Sequence, residues 1–437
     1  MLLDGVQRYR RRCGHPRPTA ACNMSQVEQY GATLPPPIVA TRTEMALTES
    51  RRSHSSEDAT MAAIAFLVFF SNSMFPPLVP SLAHEFSARP LDFKWLVPGF
   101  SLVYGAATLA YGVASDRLGR VVILKRLLGL ATIAMTVLSF AATANQLMML
   151  RTLSGLATGG IVTISLSIIG DRYPYGVQGA PMGKMFGAIA TGMGLGVSLG
   201  PILSAMVGWR WMVRLMAIGF LAAAHRIHKH FPPQVTRDIQ GRFVFVIFEE
   251  YRGILAASRG SRALAFIVAN GIFHGGIFAW LGVLLAQRYQ LGEAGIGLTF
   301  IGYGLPDLIL GSLIGGWADR YGRRYVVPIG FLWAAMCAAA VALSTAPWMA
   351  AFGLAALSIG FDATHPLMSS ITTSLDPKHR GQVTGLTTFA NFLGMAIGAL
   401  VFRELVPLGF TLALITFAGL EATFGVAAGF CFQTEQP

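Results

Sequence analysis

The sequence predicts an all-α polytopic membrane protein, with twelve transmembrane helices in two pseudo-symmetric six-helix bundles. Three observations carry that expectation. Charged residues make up 12% of the 437 positions, about half of the roughly 25% found in soluble domains. Apolar runs of membrane-spanning length follow one another from Met61 to residue 431. Two segments of the first half recur in the second at nearly the same displacement. A chain so poor in charge cannot cover a water-facing surface, which excludes a soluble enzyme, a disordered chain and a disulfide scaffold.

Residues 1–58 stand apart from the rest. RYRRRCGHPRP and LPPPIVA are rich in Arg and Pro and hold no apolar run suited to a signal peptide. A disordered cytoplasmic tail is expected, and Met1, Met24, Met45 and Met61 all remain possible translation starts. The cysteines are scattered, with Cys13 and Cys22 in the tail and Cys337 and Cys431 in apolar runs, so neither metal spacing nor a disulfide framework is implied.

Candidate spans fall at 61–83, 95–115, 121–142, 146–170, 183–207 and 211–224, then at 263–286, 295–317, 325–345, 348–371, 381–401 and 405–431. A span needs about 20 residues, and the sixth falls short unless it runs on into His225–Phe231. The N-terminal bundle is thus expected over 59–224, a cytoplasmic linker over 225–262, the C-terminal bundle over 263–432 and a short tail over 433–437. With the N-terminal tail inside, the loops after spans 2, 4, 6, 8 and 10 and their flanks carry 18 Lys and Arg against 6 on the other side. That bias places both termini in the cytoplasm of an inner-membrane protein. The same placement assigns the net charge of +12 to topology rather than to nucleic acid. Within the linker, GRFVFVIFEEYRGIL forms an amphipathic helix suited to the membrane surface. HRIHKH reads as a basic juxtamembrane cluster rather than a metal site, because no carboxylate or cysteine completes it.

The repeat is specific. GVASDRLGR at 112–120 returns as GGWADRYGR at 315–323, displaced by 203 residues, while Gly183, Gly187, Gly196 and Gly200 return as Gly381, Gly385, Gly394 and Gly398, displaced by 198. A six-span unit has been duplicated. These segments resemble the major facilitator superfamily, whose cytoplasmic loop signature is matched at Gly112, Asp116, Arg117, Gly119 and Arg120 and again at Gly315, Asp319, Arg320, Gly322 and Arg323. Ala114 and Val121 depart from that signature. RTLSGLATGG in span 4 resembles the pattern of drug–proton antiporters through Arg151 and Gly155, with Ser154 in place of the usual glutamine. GMGLGVSLGPILSA in span 5 resembles the antiporter signature of the same group through Gly196, Gly200 and Pro201, whereas span 11 has Ala399 where span 5 has Pro201.

The resemblance implies a proton-coupled exporter of a small organic molecule, working by alternating access and energised by a proton gradient without a cofactor. It also implies that Asp116 caps the N-terminal end of span 11 near Gly381, with Asp319 doing likewise for span 5 near Gly183. In span 5, Gly192, Gly196, Gly200, Ser204 and Gly208 form a side-chain-free stripe for close approach of another helix; tight packing and a hinge at Pro201 are both compatible with it.

Ionisable residues inside spans are costly and mark functional paths. Arg151, Asp307, Asp362 and Glu421 are the proton-coupling candidates, and Asn72 stands in span 1 where many such antiporters carry an acid. Asp307 lies about 18 Å along its helix from Asp319, and His365 shares a helix face with Asp362. Buried neutral aspartates bonded to backbone are the alternative for both. By family analogy spans 1, 4, 7 and 10 line a central cavity, offering Asn72, Phe75, Asn270, Phe273, His274, Phe278 and His365 beside Met74 and Trp280. The expected partners are a small-molecule substrate and the bilayer, with no nucleic acid and no metal, and the chain is expected to be monomeric. A proton-coupled uptake symporter and a non-transporting membrane protein of the same fold are the alternatives. No enzyme is indicated, since no nucleophile set or phosphate-cradling loop occurs.

Overall fold

Apolar stretches of this length leave the backbone no polar partner but itself, so each must coil into a helix. The computed structural model describes residues 42–173, 179–231, 255, 258–375 and 380–433, with side chains from Ser56 onward except at 304–315, 319, 362, 373–375 and 380–382. The expected disorder of the tail and the amphipathic linker helix lie outside the described residues, apart from the start of the first helix and Leu255. The described elements are helical, without a strand.

In the first half the helices are α1 (Arg42–Ser73), α2 (Phe75–Glu85), α3 (Pro98–Leu118), α4 (Arg120–Leu138), α5 (Ala144–Thr158), α6 (Ile161–Arg172), α7 (Gly179–Val207) and α8 (Trp209–His230). The second half holds α9 (Ser258–Tyr289), α10 (Glu293–Tyr321), α11 (Arg323–Leu343), α12 (Pro347–Asp362), α13 (His365–Leu375), α14 (Arg380–Leu405) and α15 (Phe410–Cys431). Three pairs are single passages broken midway. α1 and α2 meet at a 45° bend at Met74, α5 and α6 part at Gly159–Gly160, and α12 and α13 part at Ala363–Thr364. Taken so, the described helices make passages consistent with the twelve expected; among the described residues eight of them, and a ninth when the bent α1–α2 pair is taken as one, are long and apolar enough to cross a membrane. The sixth does run on, as α8 reaches His230, though Arg210, Arg214 and the HRIHKH end dilute its hydropathy.

Residues Ser56–Pro437 form one compact unit. Its outside is apolar: Met206 is 76% exposed, and Phe352 and Phe430 are each 72% exposed. In water such a surface would aggregate, whereas lipid covers it.

The duplicated segments have duplicated roles. Gly119 and Gly322, the last glycines of the two loop motifs, sit at φ 91° and 86°. Side-chain-bearing residues rarely adopt that conformation, and it lets α3 turn directly into α4 and α10 into α11. The span 5 stripe finds its partner in span 1. A Cβ at Gly196 would lie 2.7 Å from the Phe70 carbonyl oxygen, and one at Gly200 would lie 2.7 Å from the Met74 Cβ. In the second half Gly394 abuts the Val268 carbonyl and Gly398 the Ile272 carbonyl, each pair displaced by 198 residues from its counterpart. Gly208 leaves the stripe, because α7 ends at Val207 and Gly208 turns the chain at φ 84°.

Candidate functional site

The broken passages bring irregular backbone to the middle of the bundle, where buried polar groups need partners from neighbouring helices. At the α5–α6 break, the Thr108 hydroxyl donates to the Gly159 carbonyl at 2.6 Å. A Cβ at Gly159 would stand 2.5 Å from the Tyr104 carbonyl oxygen, so the close approach of α3 requires glycine there. At the α12–α13 break, Thr364 donates to the Gly360 carbonyl at 2.9 Å and accepts from Asn270 Nδ2 of α9.

Between the two halves lies a cavity of about 560 Å³, with walls drawn from passages 1, 2, 4, 5, 7, 8, 10 and 11. Asn72, Phe75, Arg151, His274, Phe278 and His365 line it. Asn270 and Phe273 do not: both are fully buried, Asn270 against Thr364 and Phe273 edge-on to His274 at 4.9 Å. Met74 and Trp280 are likewise absent from the wall, and Trp280 donates to the Ala399 carbonyl at 2.8 Å. The analogy with four spans missed the walls given by the other passages, namely Tyr104, Phe186, Tyr303, Thr384, Thr387, Thr388, Asn391 and Phe392. A signal for the last group was present. Thr384, Thr387, Thr388 and Asn391 repeat at helical spacing on one face of α14, in a stretch that is otherwise apolar from Val383 to Phe402.

Arg151 is the most confined charge in the wall, 2% exposed. Its Nη2 donates to the Asn72 carbonyl at 3.1 Å and to Asn72 Oδ1 at 3.0 Å, and Nη1 reaches Ser154 Oγ at 3.4 Å. The guanidinium lies over the rings of Phe100 at 3.8 Å and Phe75 at 4.4 Å. Every one of these contacts is neutral. From the second half, His274 packs edge-on against Phe361 at 4.8 Å, and His365 stacks on the same ring at 5.1 Å. Both ring nitrogens of His274 and Nδ1 of His365 lack a hydrogen-bond partner.

Of the other coupling candidates, Glu421 on α15 is fully buried with neither carboxylate oxygen hydrogen-bonded, and it is not part of the cavity wall. Asp307 lies on α10 and Asp362 ends α12. Their side chains are outside those described, as are Asp319 and Gly315 of the second loop motif.

At the end of the bundle carrying the basic loops, Asp116 pairs with Arg120 at 3.0 Å, and Arg120 pairs with Asp171 at 2.6 Å. The motif thus ties α3, α4 and α6 together; Gly381, the expected partner region of Asp116, is outside the described side chains. Arg320 of the second copy lies 5.5 Å from the Tyr321 ring, while Gly112 faces open space. A second cluster at the same end ties α1, α6 and α8 together within the first half. Arg172 pairs with Glu57, Tyr173 donates to Asp58 at 2.8 Å, and Arg226 donates to Thr60 at 2.7 Å. Burial, and then the bond to Asp58, push the Tyr173 hydroxyl up to about 12. At the opposite end the halves meet directly, where a Cβ on Gly282 of α9 would lie 2.8 Å from Pro77 Cα of α2. Among the described residues no group of His, Cys, Asp and Glu has the arrangement of a metal site.

Comparison with known proteins agrees with this architecture. The family model described as Major Facilitator Superfamily matches residues 61–292 and 263–437. An uncharacterized MFS-type transporter of Bacillus subtilis, YwfA, is 25% identical over 342 residues, covering 74% of this chain and 79% of the relative. Multidrug resistance protein 3 of the same organism is 25% identical over 402 residues, covering 77% of each. Among solved structures, a bacterial homolog of the human lysosomal transporter Spinster, inward-facing and unoccupied, superposes with a TM-score of 0.70 at 16% identity, over 88% of this chain and 98% of that one. The nucleoside transporter NupG gives a TM-score of 0.70 at 12% identity, over 86% and 100%. These relatives are transporters rather than enzymes. With its duplicated loop motif, its interhalf cavity and a family match spanning both halves, this chain is a membrane transporter belonging to the Major Facilitator Superfamily.

Proposed function

We propose that this transporter exports a small organic molecule by proton antiport, through alternating exposure of the central cavity to the two sides of the membrane. The observation that carries the reading is the cavity itself, about 560 Å³ with walls from both halves. That volume suits a drug-sized solute, and rocking of one half against the other changes which side it opens to. The contact of Pro77 with Gly282 at one end fits the stage in which the cavity faces the basic-loop side. Export is favoured by the glycine–proline signature at Gly196, Gly200 and Pro201 in α7, and by relatives named for multidrug resistance or efflux. These include Multidrug resistance protein 3 and a homolog of the efflux pump PmrA from Lactococcus lactis, the latter 23% identical over 306 residues. The chain works as a monomer in the cytoplasmic membrane with both termini inside, and the proton gradient supplies its energy.

The test is purified protein in liposomes holding an internal pH dye, challenged with organic cations, neutral compounds and acids under an imposed gradient. Proton movement opposite to the solute is expected. Movement in the same direction would make the protein a symporter. Asp307→Asn and Asp362→Asn are expected to abolish pH-driven transport while sparing solute binding. If both keep it, coupling lies elsewhere, and Glu421→Gln is the next variant to measure.

A further inference from the structure

Arg151 poses an electrostatic problem that the protein leaves unsolved. A cation taken out of water needs an opposite charge, because neutral hydrogen bonds recover only part of its lost hydration. Here Arg151 is 2% exposed, and among the described residues its guanidinium meets only a backbone carbonyl, an amide oxygen, a hydroxyl and two aromatic faces. None of the described residues lining the cavity carries a negative charge. The wall instead adds two histidines with unpartnered ring nitrogens and several hydroxyls, among them Ser101, Thr163 and Thr387. In a low-dielectric enclosure the positive potential of Arg151 reaches well into the space around it. At Arg151 it disfavours a lipophilic cation and favours an anion. The 3.4 Å contact to Ser154 is too long to hold Nη1 firmly, so that proton is available to an incoming acceptor.

We infer that the cavity selects amphipathic organic acids: the anionic head sits at Arg151, the apolar body packs on Phe75, Phe100 and Phe361, and His274 and His365 offer hydrogen bonds from the second half. The inference rests on the transport reading above, in that it names the class of solute carried. It also gives Asn72 a role. A carboxylate at that position would neutralise Arg151 permanently, whereas the amide holds the guanidinium in place and leaves its charge to the ligand.

A matched series tests this: 2-naphthylacetate, 2-naphthylacetamide and 2-naphthylethylamine, which share a ring system and differ in charge. Binding is measured by calorimetry on the full chain in lipid nanodiscs at pH 7.5. The acid is expected to bind about tenfold more tightly than the amide, the difference that one charge-assisted hydrogen bond makes, and the amine most weakly. Arg151→Gln is expected to erase the preference. Because that variant risks misfolding, Asn72→Asp is the second: it keeps the arginine but supplies an internal counter-charge, and is expected to abolish the acid's advantage. Equal or absent binding of the three compounds, tighter binding of the amine, or an acid preference that survives Asn72→Asp would overturn the inference. The same compounds in liposomes separate it from the transport reading. Carriage of the amine but not the acid would defeat the anion site alone, while acid binding without movement of any solute would defeat the transport reading and leave the site standing.

Discussion

The two halves of the bundle carry the same seam and different chemistry. Asn72 and Asn270 occupy equivalent positions, 198 residues apart, on the first passage of each half. Each reaches the fourth passage of its own half. Asn72 does so as an acceptor, taking two bonds from Arg151 through its carbonyl and side-chain oxygens. Asn270 does so as a donor, giving its Nδ2 proton to Thr364 and leaving Oδ1 unpartnered. Beside them, the glycine contacts to the first passage recur residue for residue: Gly196 with Phe70 and Gly394 with Val268, Gly200 with Met74 and Gly398 with Ile272. Backbone packing was inherited by both copies because any side chain at the seam is a collision. Beside that shared packing the partners differ: the first half sets its asparagine against a buried arginine, the second against a threonine.

The seam comparison is broken first by adding methyl groups to it. A Cβ at Gly398 would collide with the Ile272 carbonyl, whereas one at Gly196 would sit 2.7 Å from that of Phe70. Gly398→Ala is expected to cost about 3 kcal/mol, the upper part of the usual overpacking range, and Gly196→Ala less. The roughly 1 kcal/mol of helix propensity gained by alanine offsets only part of either cost. Thermal unfolding in detergent reads both, and equal shifts would show that the two seams are not graded in tightness.

The asparagine comparison is sharpened next. Asn72→Ala removes a bond to a buried charge and is expected to cost about 2 kcal/mol, against about 1 kcal/mol or less for Asn270→Ala, whose neutral bond is lost together with an unsatisfied oxygen. The reverse order in the same unfolding assay would mean that the Asn72 carbonyl oxygen holds Arg151 without help. The smallest effect on stability is expected at Asp116. Its ion pair with Arg120 is partly exposed, with the aspartate side chain 39% accessible, so Asp116→Asn is expected to change stability by less than about 1 kcal/mol. Transport should nonetheless slow; an unchanged rate in liposomes would remove Asp116 from the gating of the basic-loop end.

How far all this could be read from residues alone depended on the range of the interaction. Membrane residence, the helical passages and the duplication follow from local composition and from equal spacing along the chain. So does the turn glycine of the loop motif, since a left-handed backbone at positions 119 and 322 is a local demand. Arg151 was conspicuous because a lone charge in an apolar run is costly wherever it lands. Its partner was not. Asn72 lies 79 residues earlier, and only the crossing of α1 with α5 places the two side chains within hydrogen-bonding distance. The Thr387 and Asn391 face of α14 was periodic in the sequence, yet which neighbour or void it faced was open until α14 was seen against α3 and α9. Spacing along one chain reports what a helix presents. What that face meets is set by the packing of helices distant in sequence, and here that packing turned one buried arginine and two histidines into the walls of a single cavity.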